Sequence, residues 1–172
     1  MKQLLGWTIC FLLSAISSAS AQGTPPRLID VHEHYNGEPG VLEKLLEKLN
    51  AADGIGILLT TPSALPQAAP FIHAHPDRFV GFGDIKLDDH DVLNQIDRFH
   101  EVGFRGLGEI TSSQKNYDDS AYWPIYDRAA KYHMILLFHT GAVARQNPDQ
   151  PSDVSFERMR ATRLDLIARH WP

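Results

Sequence analysis

Arg27-Leu28-Ile29-Asp30-Val31-His32-Glu33-His34 reads as a short β-strand that ends in an H-x-H pair. The pattern that follows it repeats. Val41, Leu42, Leu45, Leu46 and Leu49 mark one face of a helix whose other face carries Glu43, Lys44, Glu47 and Lys48. Residues 54–60 are a second apolar strand, 66–75 a weaker helix ended by Pro76, and 78–85 a third strand. Val92, Leu93, Ile96 and Phe99 mark a third helix, stopped by Gly103. A fourth strand occupies 104–110. After a polar loop, Asp118-Asp119-Ser120 caps a helix with Tyr122, Tyr126, Ala129 and Ala130 inward. Residues 134–139 are the fifth strand, 140–151 a longer loop, and 155–170 a fifth helix.

Strands that start roughly 23–30 residues apart, with a helix between each pair, are the signature of βαβ units and a parallel sheet. Near-continuous apolar runs such as Ile135-Leu136-Leu137-Phe138 belong to strands covered on both faces. A (β/α)₈ barrel and a doubly wound sheet both fit. No G-x-G-x-x-G follows the first strand, which argues against a dinucleotide-binding version.

The N-terminus predicts export. Lys2 gives a positive start, residues 4–16 are mostly apolar, and Ala19-Ser20-Ala21 forms an A-x-A cleavage site. That apolar run is too short to span a membrane, which takes roughly 20 residues. Residues 1–21 are thus expected to be a signal peptide, 22–26 a linker, and 27–172 the domain, secreted or periplasmic and free of the membrane after cleavage. The single cysteine, Cys10, falls in the leader, so the mature chain offers no thiol and no disulfide. Any metal must be held by histidine and carboxylate. A formal net charge of −5 argues against a nucleic-acid binder. The expected partner is a small-molecule substrate; oligomeric state is left open.

The histidines carry the chemistry. His32 and His34, two apart on a strand, point to one side and can share an ion. His139 ends the fifth strand, and in a parallel barrel all strand C-termini open onto the active face. Three imidazoles there suit a divalent metal, zinc above all. Glu109 closes the fourth strand on the same rim. It is placed to bridge two metals, complete the shell of one, bind substrate, or simply orient a neighbouring histidine. Asp30 shares the His32 face by simple alternation and is expected to support it, whereas Glu33 points away. Asp84 is a weaker candidate for substrate contact. The second H-x-H pair, His73-Ala74-His75, lies in a helical pattern where residues two apart do not share a face, and reads as surface or packing. His90, His100, His133 and His170 read the same way.

Ile29-Asp30-Val31-His32-Glu33-His34 resembles the first-strand motif of the amidohydrolase superfamily. His75-Pro76-Asp77-Arg78-Phe79-Val80-Gly81-Phe82, Gly103-Phe104-Arg105-Gly106-Leu107-Gly108-Glu109 and Leu137-Phe138-His139-Thr140-Gly141 resemble the amidohydrolase-related group that includes metal-dependent decarboxylases. The likeness runs from residue 27 to the end of the chain. It implies a distorted (β/α)₈ barrel, of which about five βα units are present. It also implies metal ligands at His32, His34 and His139, with Glu109 added where a second metal is held. In that family a histidine after strand six and an aspartate after strand eight, the catalytic base, complete the site. Both are expected beyond residue 172.

The resemblance implies a hydrolase that attacks an ester, lactone or amide with metal-activated water. A decarboxylase of the same fold is the alternative, and a non-catalytic half-barrel with open sheet edges the reading from another class. An in-frame continuation of the coding sequence past Pro172 favours the enzyme, and a stop there the half-barrel. Neither the 111–119 loop nor 142–151 contains a recognisable specificity motif. Export makes a direct prediction: N-terminal sequencing of the exported protein should begin at or near Gln22. A cytoplasmic product that retains Met1 contradicts it.

Overall fold

The computed structural model describes residues 28–141 and 155–172. The expected leader (1–21), linker (22–26) and loop residues 142–151 lie outside the described residues. Five parallel strands, β1 (Leu28–Tyr35), β2 (Gly54–Thr60), β3 (Phe79–Gly83), β4 (Gly106–Ile110) and β5 (Ile135–Phe138), pair in the order β1-β2-β3-β4-β5. Four helices connect them: α1 (Val41–Ala52), α2 (Leu65–Ala74), α3 (Val92–Glu101) and α4 (Trp123–Lys131). A doubly wound sheet needs a point where strand order reverses. This order never reverses, so the sheet curls into the first part of a (β/α) barrel.

The helices cover one face of the sheet. Leu42, Leu45 and Leu49 of α1, Ile72 of α2, Ile96 and Phe99 of α3, and Ile125 and Tyr126 of α4 pack with Leu58, Phe79, Leu107 and Ile110 into one buried core. Burying a single Leu, Ile or Phe of this kind contributes about 1.5–3 kcal/mol. Most predicted inward positions are found there. Tyr122, Tyr126 and Ala129 are buried as expected and Ile125 completes their face, whereas Ala130 is exposed one position past it. The predicted helix over 155–170 is broken into α5 (Ser155–Arg158), a second 3-10 turn (Ala161–Arg163) and α6 (Leu164–His170). Arg160 adopts an extended backbone at the break.

Glycines on the strands let aromatic rings lie flat on the sheet. A Cβ built at Gly81 would sit 2.6 Å from Phe104, whose ring is stacked on that of Phe99 at 5.3 Å. At the two sides of the sheet, Ile29 and Val31 on β1 and Ile135 on β5 are exposed. Among the described residues, no helix is long and apolar enough to cross a membrane.

The crowding at Gly81 predicts that Gly81→Ala destabilises the fold by about 1–3 kcal/mol, since both rings are buried and cannot withdraw. A urea denaturation midpoint that does not fall would contradict this packing.

Candidate metal centre

Two irregularities in the strands build the site. Between β1 and β2, Asp30 pairs with Gly56 but Glu33 pairs with Leu58, so Val31 and His32 together face the single residue Ile57. Between β4 and β5, Leu107 pairs with Leu136 and Ile110 with Phe138, so Gly108 and Glu109 together face Leu137. Each is a β-bulge, and bulges re-aim side chains. Leu107 and Ile110 both lie in the helix-packed core. Strict alternation from Leu107 would send Glu109 there too. The extra residue turns Glu109 onto the inner face instead.

The bulge in β1 also separates Asp30 from His32. Asp30 does not support an imidazole: its carboxylate accepts the His32 backbone N–H at 3.1 Å. Glu33 lies beside Asp30 on the side of Lys48. Burial, then a hydrogen bond with Asp30, raises the Glu33 pKa, while Lys48 and His34 pull it down. The expectation that Asp30 shares the His32 face is corrected by this bulge.

His32, His34 and Glu109 converge. One ligand atom from each lies within 4.8 Å of the other two. The His32 and His34 Nε2 atoms are 3.0 Å apart. Glu109 Oε1 is 3.7 Å from His32 Nε2, and its Oε2 is 3.9 Å from His34 Nε2. His139 adjoins this set through Glu109, with Nδ1 2.8 Å from Oε1. With Nδ1–H donated to the carboxylate, His139 Nε2 carries a lone pair. That nitrogen is buried and finds no hydrogen-bond partner among the described residues. Two imidazoles and one carboxylate form a donor set that fits a divalent cation, and His139 lies outside that 4.8 Å group, against its carboxylate.

Asp84 follows β3 and faces the same space, with Oδ2 3.9 Å from His34 Nδ1. Burial raises its pKa, and Glu109 adds to the rise, while His34 and Lys86 oppose it. The second H-x-H pair, His73 and His75, lies in surface and packing contacts. His73 Nε2 bonds the Val102 carbonyl at 2.8 Å, and the His75 ring packs on Phe71.

Two supports were not legible as motifs. Tyr117, fully buried, lies in the loop after β4. Its single O–H lies between the carbonyls of Ile110 at 2.8 Å and His139 at 2.7 Å and is shared by them, joining the ends of β4 and β5. An aromatic residue inside a polar loop was its only signal. Asp88, in the loop after β3, accepts from Ser113 N–H at 2.6 Å, Ser113 Oγ at 2.9 Å and Gln114 N–H at 3.1 Å, and from the Tyr122 hydroxyl.

These strands, helices and rim residues define a segment of a parallel (β/α) barrel with a His-His-Glu cluster at the C-terminal ends of its strands. Among solved structures it is similar to a protein from Staphylococcus aureus classed as an amidohydrolase, with TM-score 0.57 and 19% identity over 75% of this chain and 54% of that one. It is also similar to 5-carboxyvanillate decarboxylase from Sphingomonas paucimobilis, with TM-score 0.54 and 16% identity over 77% of this chain and 57% of that one. At such identities the likeness shows the fold alone, a (β/α) barrel. The chain spans little more than half the length of either structure. No protein-family model matches it, and no curated protein does.

The Asp88 network carries a pH prediction. Burial pushes its carboxyl up, but the hydrogen bonds from Tyr122, Ser113 and Gln114 outweigh this and hold it below the ordinary carboxylate range. A depressed folded pKa adds stability that is fully present above the unfolded value of about 3.9 and is lost as pH falls through the folded one. Urea stability measured from pH 5 downward should therefore fall less steeply in Asp88→Asn than in the wild type. Parallel acid limbs in the two proteins contradict the assignment.

Proposed function

We propose that this chain carries metal-binding residues of a metal-dependent hydrolase of the amidohydrolase-related type. It would act on an ester, lactone or amide bond of a small molecule after export. The observation that carries the reading is the convergence of His32, His34 and Glu109 ligand atoms within 4.8 Å on the rim where barrel enzymes keep their active sites.

His32 and His34 would supply two neutral imidazole nitrogens and Glu109 a negative oxygen. A divalent ion held there, zinc first because imidazole suits it, supplies Lewis acidity that acidifies water and polarises a substrate oxygen. His139 has two roles in this arrangement. Its Nδ1–H orients Glu109 Oε1, which leaves Oε2 on the side of His34. Its unpartnered Nε2 is the further candidate ligand. Beside the cluster, Leu59, which pairs with His34, and Phe82, which pairs with Leu59, are both buried.

A metal-dependent decarboxylase is the second reading, favoured by the likeness of the fold to 5-carboxyvanillate decarboxylase. Both readings share the metal ligands and differ in the bond broken. Substrate panels separate them: ester, lactone and amide cleavage for the first, release of carbon dioxide from aromatic carboxylic acids for the second.

The shared premise is tested by loading the purified chain with zinc or manganese, desalting it and measuring bound metal by plasma mass spectrometry. The wild type should retain metal. His34→Ala and Glu109→Ala should each weaken retention at least about tenfold, equivalent to about 1.4 kcal/mol. Metal absent from the wild type, or undiminished in both variants, ends the metalloenzyme reading.

A further inference from the structure

The inner end of β3 holds a carboxylate that the ligand set does not use. Among the described residues, Asp84 and Glu109 are the carboxylates within 4.0 Å of a His34 nitrogen, and they stand on opposite edges of the ring. Nδ1 faces Asp84 Oδ2 at 3.9 Å, while Nε2 faces Glu109 Oε2 at 3.9 Å and His32 Nε2 at 3.0 Å.

Asp84 is the better anchored member of the pair. Its backbone N–H donates to the Thr60 carbonyl at 2.8 Å, which extends the β2–β3 ladder by one residue. Its side chain is 26% exposed against 51% for His34. The two residues also share a cavity of about 280 Å³ with Tyr35, Asn36, Val41 and Thr61, which leaves the His34 ring room to turn. A hydrogen bond needs a heavy-atom separation of about 2.9 Å, so the two atoms must approach by about 1 Å to form one.

We propose that Asp84 is a positioning residue, which takes the Nδ1–H of His34 and thereby presents the Nε2 lone pair to His32 and Glu109. A carboxylate behind a ligating imidazole fixes its tautomer and orientation and raises its basicity, and loss of such a partner typically weakens metal binding 10–100-fold. In the metal-free protein the same arrangement makes His34 Nε2 the acceptor, and His32 Nε2–H the donor, of the 3.0 Å contact between the rings. The metal arm of the proposal rests on the function proposed above; the tautomer arm does not.

The test uses the full chain, ¹⁵N-labelled on histidine, at a pH where His34 is neutral. Long-range ¹H–¹⁵N spectra of the metal-free wild type should show His34 protonated at Nδ1. Asp84→Ala should lose that preference, and Asp84→Asn should keep part of it because an amide oxygen still accepts. Zinc competition should then give affinities about 10–100-fold weaker in Asp84→Ala, with a smaller loss in Asp84→Asn. In a His34→Ala background, Asp84→Ala should cost nothing further. An unchanged His34 tautomer in Asp84→Ala overturns the proposal, as does an unchanged zinc affinity where the wild type binds zinc. A wild type that binds no zinc but shows the tautomer shift overturns the metal reading and leaves the positioning role standing. If Asp84→Ala does not fold, as judged by circular dichroism, an unchanged tautomer and zinc affinity in Asp84→Asn overturn it instead.

Discussion

The inner face of this sheet depends on parity. Once Leu58, Phe79, Leu107 and Ile110 are committed to the helix-packed core, alternation assigns every other strand position to a side. A regular β4 would have driven Glu109 into apolar packing beside Leu107. Burying a lone carboxylate there costs several kcal/mol, or forces it to take a proton. The bulge opposite Leu137 removes that conflict by giving the inner face two consecutive residues, Gly108 and Glu109. The bulge opposite Ile57 does the same for Val31 and His32. The two bulges lie on strands separated by β2 and β3, yet they deliver residues whose ligand atoms lie within 4.8 Å.

Neutral hydrogen bonds hold the bulged strand ends in place. Tyr117 joins Ile110 to His139, and the Tyr126 hydroxyl in turn donates to the Tyr117 carbonyl at 2.7 Å. Burial pushes both phenols well above their ordinary range, and the neighbouring Glu109 pushes Tyr117 the same way. Tyr122, beside Asp88, is raised to about 12, by burial first and then by that carboxylate. All three therefore remain proton donors at any pH the protein meets. The phenols that tie these strand ends do not titrate, whereas the Asp88 carboxylate that grips the loop after β4 does.

Periodicity made most of this architecture readable. Residues 54–60 coincide with β2, and the apolar stripes that include Leu42, Leu45, Leu49, Ile96 and Phe99 are the buried faces of α1 and α3. The H-x-H pair at the end of β1 identified two residues that meet. What periodicity could not reveal was any departure from itself. A bulge leaves no mark in a string of apolar residues, so Asp30 was assigned to the His32 face and Glu109 to the rim without a means of turning inward. The break at Arg160 has the same origin, since a single residue of extended backbone interrupts a helix without changing composition. Tyr117 and Asp88 act through backbone groups distant in sequence, which spacing rules do not report.

The fastening of the loop after β4 bears on how such a protein could acquire new selectivity. Asp88 reaches across from the loop after β3 and grips Ser113, Gln114 and Tyr122 with one carboxylate. This wall of the rim is a splint and not a hinge. Variation at an exposed position such as Gln114, which Asp88 holds by its backbone N–H, would then alter the shape and polarity of the rim without altering its motion. Ligand discrimination on this side would come from a fixed template, in which exchanging a side chain exchanges the surface that is read.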